Sequence, residues 1–150
     1  MELRYELWDR LPPEPLQSSL LDLLSSVFTS QLPASILADI HYHLTRTGLQ
    51  FWLAIDNQQI VGCKLGYERK PGQFYSWLGC VQPALRGHGI AGELMRQQHE
   101  WCRQRSYHTI RTETYNQWRT MLILNLRFGF NIIGTVQGKH GLTIVLEKKL

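Results

Sequence analysis

The sequence predicts an α+β fold, a mixed and mostly antiparallel central sheet of about seven strands with about four helices on its two faces. Three observations carry that reading. Apolar residues make up 43% of the chain and charged residues 19%, which suits a packed globular chain rather than a disordered one. Hydrophobic periodicity switches between two and about 3.6 along the chain, in the order strand, two helices, three strands, helix, strand, helix, two strands. The strand before the third helix and the strand after it are far enough apart for a parallel crossover, while the three strands from Phe51 to Val81 and the last two strands are spaced as hairpins. No internal repeat, low-complexity tract or linker breaks the 150 residues, so a single domain over 1–150 is expected.

Each element has a local reason. Leu3, Tyr5 and Leu7 alternate with polar residues and form a first strand that Pro12-Pro13 stops. Leu16 to Phe28 carries Leu16, Leu20, Leu23, Leu24, Val27 and Phe28, a helical stripe. A second helix, Ala34 to Thr45, opens after Pro33 and shows Ile36, Leu37, Ile40 and Leu44. His41 and His43 lie two apart on it and face different ways, a poor metal pair. Phe51 to Ile55 and Ile60 to Tyr67 form a hairpin about Asp56-Asn57, and Lys70-Pro71-Gly72 turns the chain into Phe74 to Val81.

A helix over Gly89 to Arg105 puts Ile90, Ala91, Leu94, Met95, Trp101 and Cys102 on one face and Glu93, Arg96, Gln97, Glu100 and Arg103 on the other. His99 and Cys102 sit one turn apart, a spacing that reads as a packed edge rather than a metal site, and no metal is expected. Tyr107 to Thr114 is a β-branched strand, Asn116 to Phe128 the last helix, and Ile132 to Gln137 and Leu142 to Glu147 the closing hairpin across Gly138 to Gly141.

The stretch Val81 to Leu94, V-Q-P-A-L-R-G-H-G-I-A-G-E-L, joins the central strand to the third helix. Gly87 and Gly89 let the backbone bend tightly and approach a ligand. The first amides of the helix have no partners within it, and with the helix dipole and Arg86 they make a site for an anion, most naturally a phosphate. Gly87, Gly89 and Gly92 also fit G-x-G-x-x-G, with Glu113 about twenty residues on, a dinucleotide fingerprint. In that fingerprint the first glycine follows its strand directly, whereas Gln82 to Arg86 intervene here. A Walker A loop lacks its Lys-Ser or Lys-Thr.

Val81, Pro83, Arg86, Gly87, Gly89, Ile90 and Ala91 together resemble V-x-P-x-x-R-G-x-G-(I/V)-(G/A), the coenzyme-A-binding motif of the GNAT superfamily of N-acetyltransferases. The element order is also that of the family, so the resemblance covers nearly the whole chain. It implies a GNAT-like sheet with a splayed strand pair at the coenzyme site. Acetyl-CoA would be the co-substrate, its pyrophosphate held by backbone amides of Arg86, Gly87, His88, Gly89, Ile90 and Ala91. The backbone of Val81 would pair with the pantetheine arm, and an amide near Val81 would stabilise the oxyanion.

The family often carries a tyrosine four residues before the Gly of a Gly-Phe pair, to protonate the departing thiolate. Here Gly129-Phe130 is present and that position is Asn125, which cannot act as an acid at neutral pH. Asn125 shares a stripe with Trp118, Met121 and Leu122 that points it inward, either to the coenzyme or to backbone. Candidates for the base are Glu68, Glu113, Tyr75 and Tyr115, with water as relay. Glu113 comes first, near the end of the strand beside the splay, with Tyr115 just beyond it. Trp52, Trp77 and Trp118 line either an acceptor pocket or the core, and the core is expected for at least two of them.

The expected activity is direct acetyl transfer to an amine of a small-molecule or peptide acceptor. The alternatives are an acyl-CoA-binding module without catalysis and an oxidoreductase resting on G-x-G-x-x-G. The formal charge of +4 and pI near 9.1 favour anionic partners, which a coenzyme with several phosphates satisfies without nucleic acid. Three scattered cysteines argue for a reducing compartment. With no signal peptide and no membrane-spanning stretch, a cytoplasmic protein, monomer or homodimer, is expected.

Overall fold

The computed structural model describes residues 1–150. Its elements are β1 (Leu3–Trp8), α1 (Leu16–Val27), α2 (Pro33–Arg46), β2 (Gln50–Asp56), β3 (Gln59–Lys70), β4 (Gln73–Val81), α3 (Ile90–Gln104), β5 (Thr109–Tyr115), α4 (Arg119–Arg127), β6 (Asn131–Gly138) and β7 (Gly141–Lys149). They build one 7-stranded sheet in the order β1-β2-β3-β4-β5-β7-β6. Every neighbouring pair is antiparallel except β4 and β5, which α3 joins as the expected crossover.

Two cores lie on opposite faces of the sheet. On one, α1 and α2 bury Leu20, Leu24, Ile36 and Ile40 against Phe51, Leu53, Ile55, Cys63 and Leu65. On the other, α3 buries Ile90, Leu94, Met95 and Cys102 against Trp52, Ala54, Val61, Phe74, Val81 and Ile110. The alternation of β2 explains the split, since Phe51, Leu53 and Ile55 face one layer and Trp52 and Ala54 the other. A strand buried on both faces reads as an unbroken apolar run.

The sequence reading needs two corrections. The last helix begins at Arg119 rather than Asn116, because Asn116 to Trp118 form a turn closed by Trp118 N–H donating to Tyr115 O at 3.1 Å. Trp118 therefore precedes the helix and is 44% exposed, so the inward stripe starts only at Met121. The inner face of α3 also takes in Gln98 and His99, both buried.

Candidate active site

The ladder between β4 and β5 is short. It runs from Gln73↔Thr109 to Ser76↔Thr112 and stops. The register between β3 and β4 shows why. Leu65 faces Leu78 and Gly66 faces Ser76, so Trp77 is one residue too many on β4. Such a bulge bends its strand and increases the local twist, which swings Trp77 to Val81 away from β5. Gly66 sits opposite the bulge, where a Cβ would meet Tyr75 O at 2.8 Å. The splay thus opens at Trp77, earlier than the strand end near Val81 suggested by the motif.

An open wedge leaves backbone donors without partners. Gln82 donates to Val61 O at 2.8 Å, toward β3. Amides alternate along an extended strand, so those of Val81 and Gly79 turn to the side that β5 has vacated.

The turn that follows continues the pattern. Gly87 and Gly89 have φ of +82° and +79°, the left-handed region, and nothing lies within 4 Å of a Cβ built on either. Their conformation requires glycine, and the space above them is open. None of the amides of Gly87, His88, Gly89, Ile90, Ala91 and Gly92 donates to a backbone carbonyl, and the first intrahelical bond is Glu93 N–H to Gly89 O at 3.0 Å. Gly89 caps α3 without a side chain, so the helix end points its free donors outward. His88 turns back, its Nδ1–H donating to Leu85 O at 3.0 Å, and so stiffens the loop rather than reaching out. Arg86 is exposed and joins no ion pair. Glu93, in the first turn, is bound by Arg96 and Gln97, which hold its carboxyl down to about 2.

Glu113 is the first residue of β5 beyond the last pair with β4. It is exposed, and Tyr75 Oη–H donates to its Oε2 at 3.1 Å. Burial and the Glu113 charge push the Tyr75 hydroxyl up, so it stays protonated and donating. The other base candidates lie less directly on the wedge. Glu68 accepts from Tyr107 at 3.1 Å near the far end of β3. Tyr115 ends β5, its ring 4.9 Å from Trp118 in an edge contact.

The α1–α2 side of the wedge is aromatic. His43 stacks on Tyr67 at 4.2 Å and meets Trp77 edge-on at 4.6 Å, with Tyr75 5.4 Å from Tyr67. Phe28, at the end of α1, touches Trp118 at 5.9 Å. Of the three tryptophans, Trp52 is core at 1% exposure and Trp77 packs half-buried against the α1–α2 core, while Trp118 is exposed. Trp77 is half-buried and Trp118 exposed because the bulge and the short α4 carry them to the rim.

The α3–α4 side is polar where a core is expected. Asn125 on α4 is 3% exposed, and its backbone carbonyl accepts from Phe130 at 3.1 Å. Gln98 and Thr114 are buried with their side-chain polar atoms unpartnered, as is His99 Nε2. His99 Nδ1 accepts from Lys148 Nζ at 3.0 Å, and burial followed by that positive neighbour holds the imidazole neutral, its pKa down to about 3. Lys64, opposite Gly79, is 7% exposed. The sequence carried a signal for it, a lysine in the middle of the apolar run V-G-C-K-L-G. Gln98 and Thr114 carried none.

Amides without acceptors, a wedge with an open strand edge and a basic turn fit a long ligand with a phosphate group and an amide-bearing arm. Comparison with known proteins identifies the family. The acetyltransferase (GNAT) family model matches residues 10–130. No curated protein matches the chain in sequence. Among solved structures, aminoglycoside 6'-acetyltransferase type Ii superposes with a TM-score of 0.82 at 16% identity, over 99% of this chain and 97% of its own. Ard1 from Thermoplasma volcanium gives 0.80 at 17% identity over 97% of both chains. A GNAT family acetyltransferase from Elizabethkingia anophelis with acetyl-CoA bound gives 0.72 at 20% identity, over 99% of this chain and 98% of its own. The chain belongs to the acetyltransferase (GNAT) family and is a transferase.

Proposed function

We propose that this chain, as one domain over residues 1–150, moves an acetyl group from acetyl-CoA directly to the amine of a small-molecule or peptide acceptor. The observation that carries the reading is the run of acceptor-free amides from Gly87 to Gly92 beneath two open, left-handed glycines. Those amides, with Arg86, would hold the pyrophosphate. Val81 would pair with the pantetheine arm, and the amides along the open edge of β4 would stabilise the oxyanion. The acceptor enters from the aromatic side, where a cationic amine meets Glu113 and the faces of Tyr67 and Trp77. Glu113 takes the proton from the amine, directly or through water, with Tyr115 at the rim, while Asn125 contacts the coenzyme from α4. No step calls for a metal.

No helix is long and apolar enough to cross a membrane. All three cysteines are free and buried, and we place the protein in the cytoplasm, as monomer or homodimer. Without a tyrosine at position 125, a coenzyme-binding module that has lost turnover is the second reading.

A thermal-shift titration with acetyl-CoA, coenzyme A and NADH tests the assignment, because a ligand that binds only the folded state raises its midpoint. Stabilisation by both coenzyme A forms and not by NADH is expected, and stabilisation by NADH alone would overturn it. Glu113→Gln should then lower turnover roughly 100-fold on a panel of amines, with coenzyme affinity unchanged. An unaltered rate removes Glu113 as base, and absence of turnover in the parent protein favours the binding module.

A further inference from the structure

We propose that Lys64 delivers the proton to the coenzyme A thiolate as it leaves, the task for which Asn125 has no proton. This deepens the acetyl-transfer reading above and rests on it.

The placement comes first. Lys64 pairs with Gly79 across β3 and β4, and both point to the α3–α4 side. Gly79 has no side chain, and a Cβ built there would lie 3.3 Å from Lys64 Nζ. The amine therefore reaches over β4 at the residue whose own amide faces the open wedge. One strand edge thus carries an amide aimed at the oxyanion and, beside it, an ammonium.

Its surroundings come second. Lys64 is 7% exposed and belongs to none of the ion pairs of the molecule. The titratable groups that act on it are the Cys63 and Cys80 thiols in the sheet, with His99 nearby on α3; Trp52 faces it from β2, and no carboxylate is among them. Burial holds the Lys64 ammonium down to about 8, so it is charged at neutral pH yet gives up its proton readily. A buried cation without an anion is costly, and here the reaction itself generates one.

The other candidate acids are excluded by their chemistry or their placement. Asn125 has no acidic proton, neutral His99 is held by Lys148, and Tyr75 is bound to Glu113 on the opposite face. The step balances. As the acetyl carbon–sulfur bond breaks, its electron pair goes to sulfur, and sulfur takes a proton from Lys64 Nζ to leave as the thiol. Lys64 is left as a neutral amine and is reprotonated from solvent, which has received the proton lost by the acceptor nitrogen.

Coenzyme A itself tests this without knowledge of the acceptor. Its thiol, bound beside an ammonium, should titrate about one pH unit or more below the free thiol, read from thiolate absorbance in the ultraviolet and from protons released on binding. Desulfo-coenzyme A serves as the blank. Lys64→Met should restore the free-thiol titration with coenzyme affinity kept within a few-fold. Gly79→Ala, which crowds Nζ, should weaken the effect in a protein that keeps the lysine. A depressed thiol midpoint that survives in Lys64→Met overturns the proposal and leaves acetyl transfer standing, whereas failure of the parent protein to bind coenzyme A overturns both. A preference for succinyl-CoA over acetyl-CoA that vanishes in Lys64→Met assigns the ammonium to an acyl carboxylate and overturns the role as acid.

Discussion

The two halves of β4 share one strand and behave differently. Gln73 to Ser76 is paired on both sides, by β3 and by β5, and Leu78 to Val81 on one side only, with Trp77 bulged between them. The long polar side chains of the closed half are matched. The Gln73 amide donates to Thr109 and Glu147 and accepts from Arg69, and the Thr112 hydroxyl donates to Ser76 O at 2.9 Å. Around the open half they are not: the buried Thr114 hydroxyl has no partner, Lys64 is 7% exposed and joins no ion pair, and the amides of Gly79 and Val81 face the gap. Buried polar groups cost free energy unless hydrogen-bonded, so a sheet that satisfies one half and not the other has been shaped for something that arrives. One extra residue, Trp77, separates the two regimes.

That contrast can be broken from either side. The largest effect is expected in the closed half, where Phe74→Ala should cost about 3–5 kcal/mol in denaturant unfolding, since the ring is 1% exposed between Trp52, Trp101 and Tyr107. Coenzyme binding by the folded fraction should persist.

Substitutions in and around the open half should act in the opposite sense on stability. Lowering the Lys64 pKa from 10.5 to about 8 corresponds to a penalty of roughly 3 kcal/mol at neutral pH, so Lys64→Met should stabilise by up to that amount. Between about pH 8 and 10.5 the unfolded lysine holds its proton and the folded one does not, so the parent protein gains stability as pH rises there. Melting curves across that range in parent and variant check both statements, and a variant less stable than its parent contradicts them.

Gly89→Glu should lower coenzyme A affinity on the order of 100-fold, about 2.7 kcal/mol, by placing a carboxylate over the proposed phosphate site at φ of +79°. Isothermal titration reads it directly, and unchanged affinity would remove the turn from the site. The smallest effect is that of Thr112→Val, which deletes the hydroxyl bond to Ser76 O at the last closed rung and should cost about 1 kcal/mol in stability. A larger loss, accompanied by weaker coenzyme binding, would show that this rung also sets where the wedge begins.

Local chemistry settled much of this protein from sequence. The 3.6-residue stripes of α1 and α2, the hairpin at Asp56-Asn57 and the crossover through α3 all follow from periodicity and turn residues, and each occurs within a few residues of its expected bounds. The glycine turn was equally legible, because left-handed glycines before a helix are a local property that V-Q-P-A-L-R-G-H-G-I-A states outright. Tertiary structure alone decided where the sheet opens. The bulge at Trp77 is a mismatch of register between two strands, and neither strand encodes it separately. The same holds for the polar side chains beside the opening. Lys64 stood out as a lysine in an apolar run, but only packing shows that Thr114 and Gln98 are buried with no partner supplied. Periodicity assigns a residue to a face, but only the folded sheet shows whether its hydrogen bonds are met on that face.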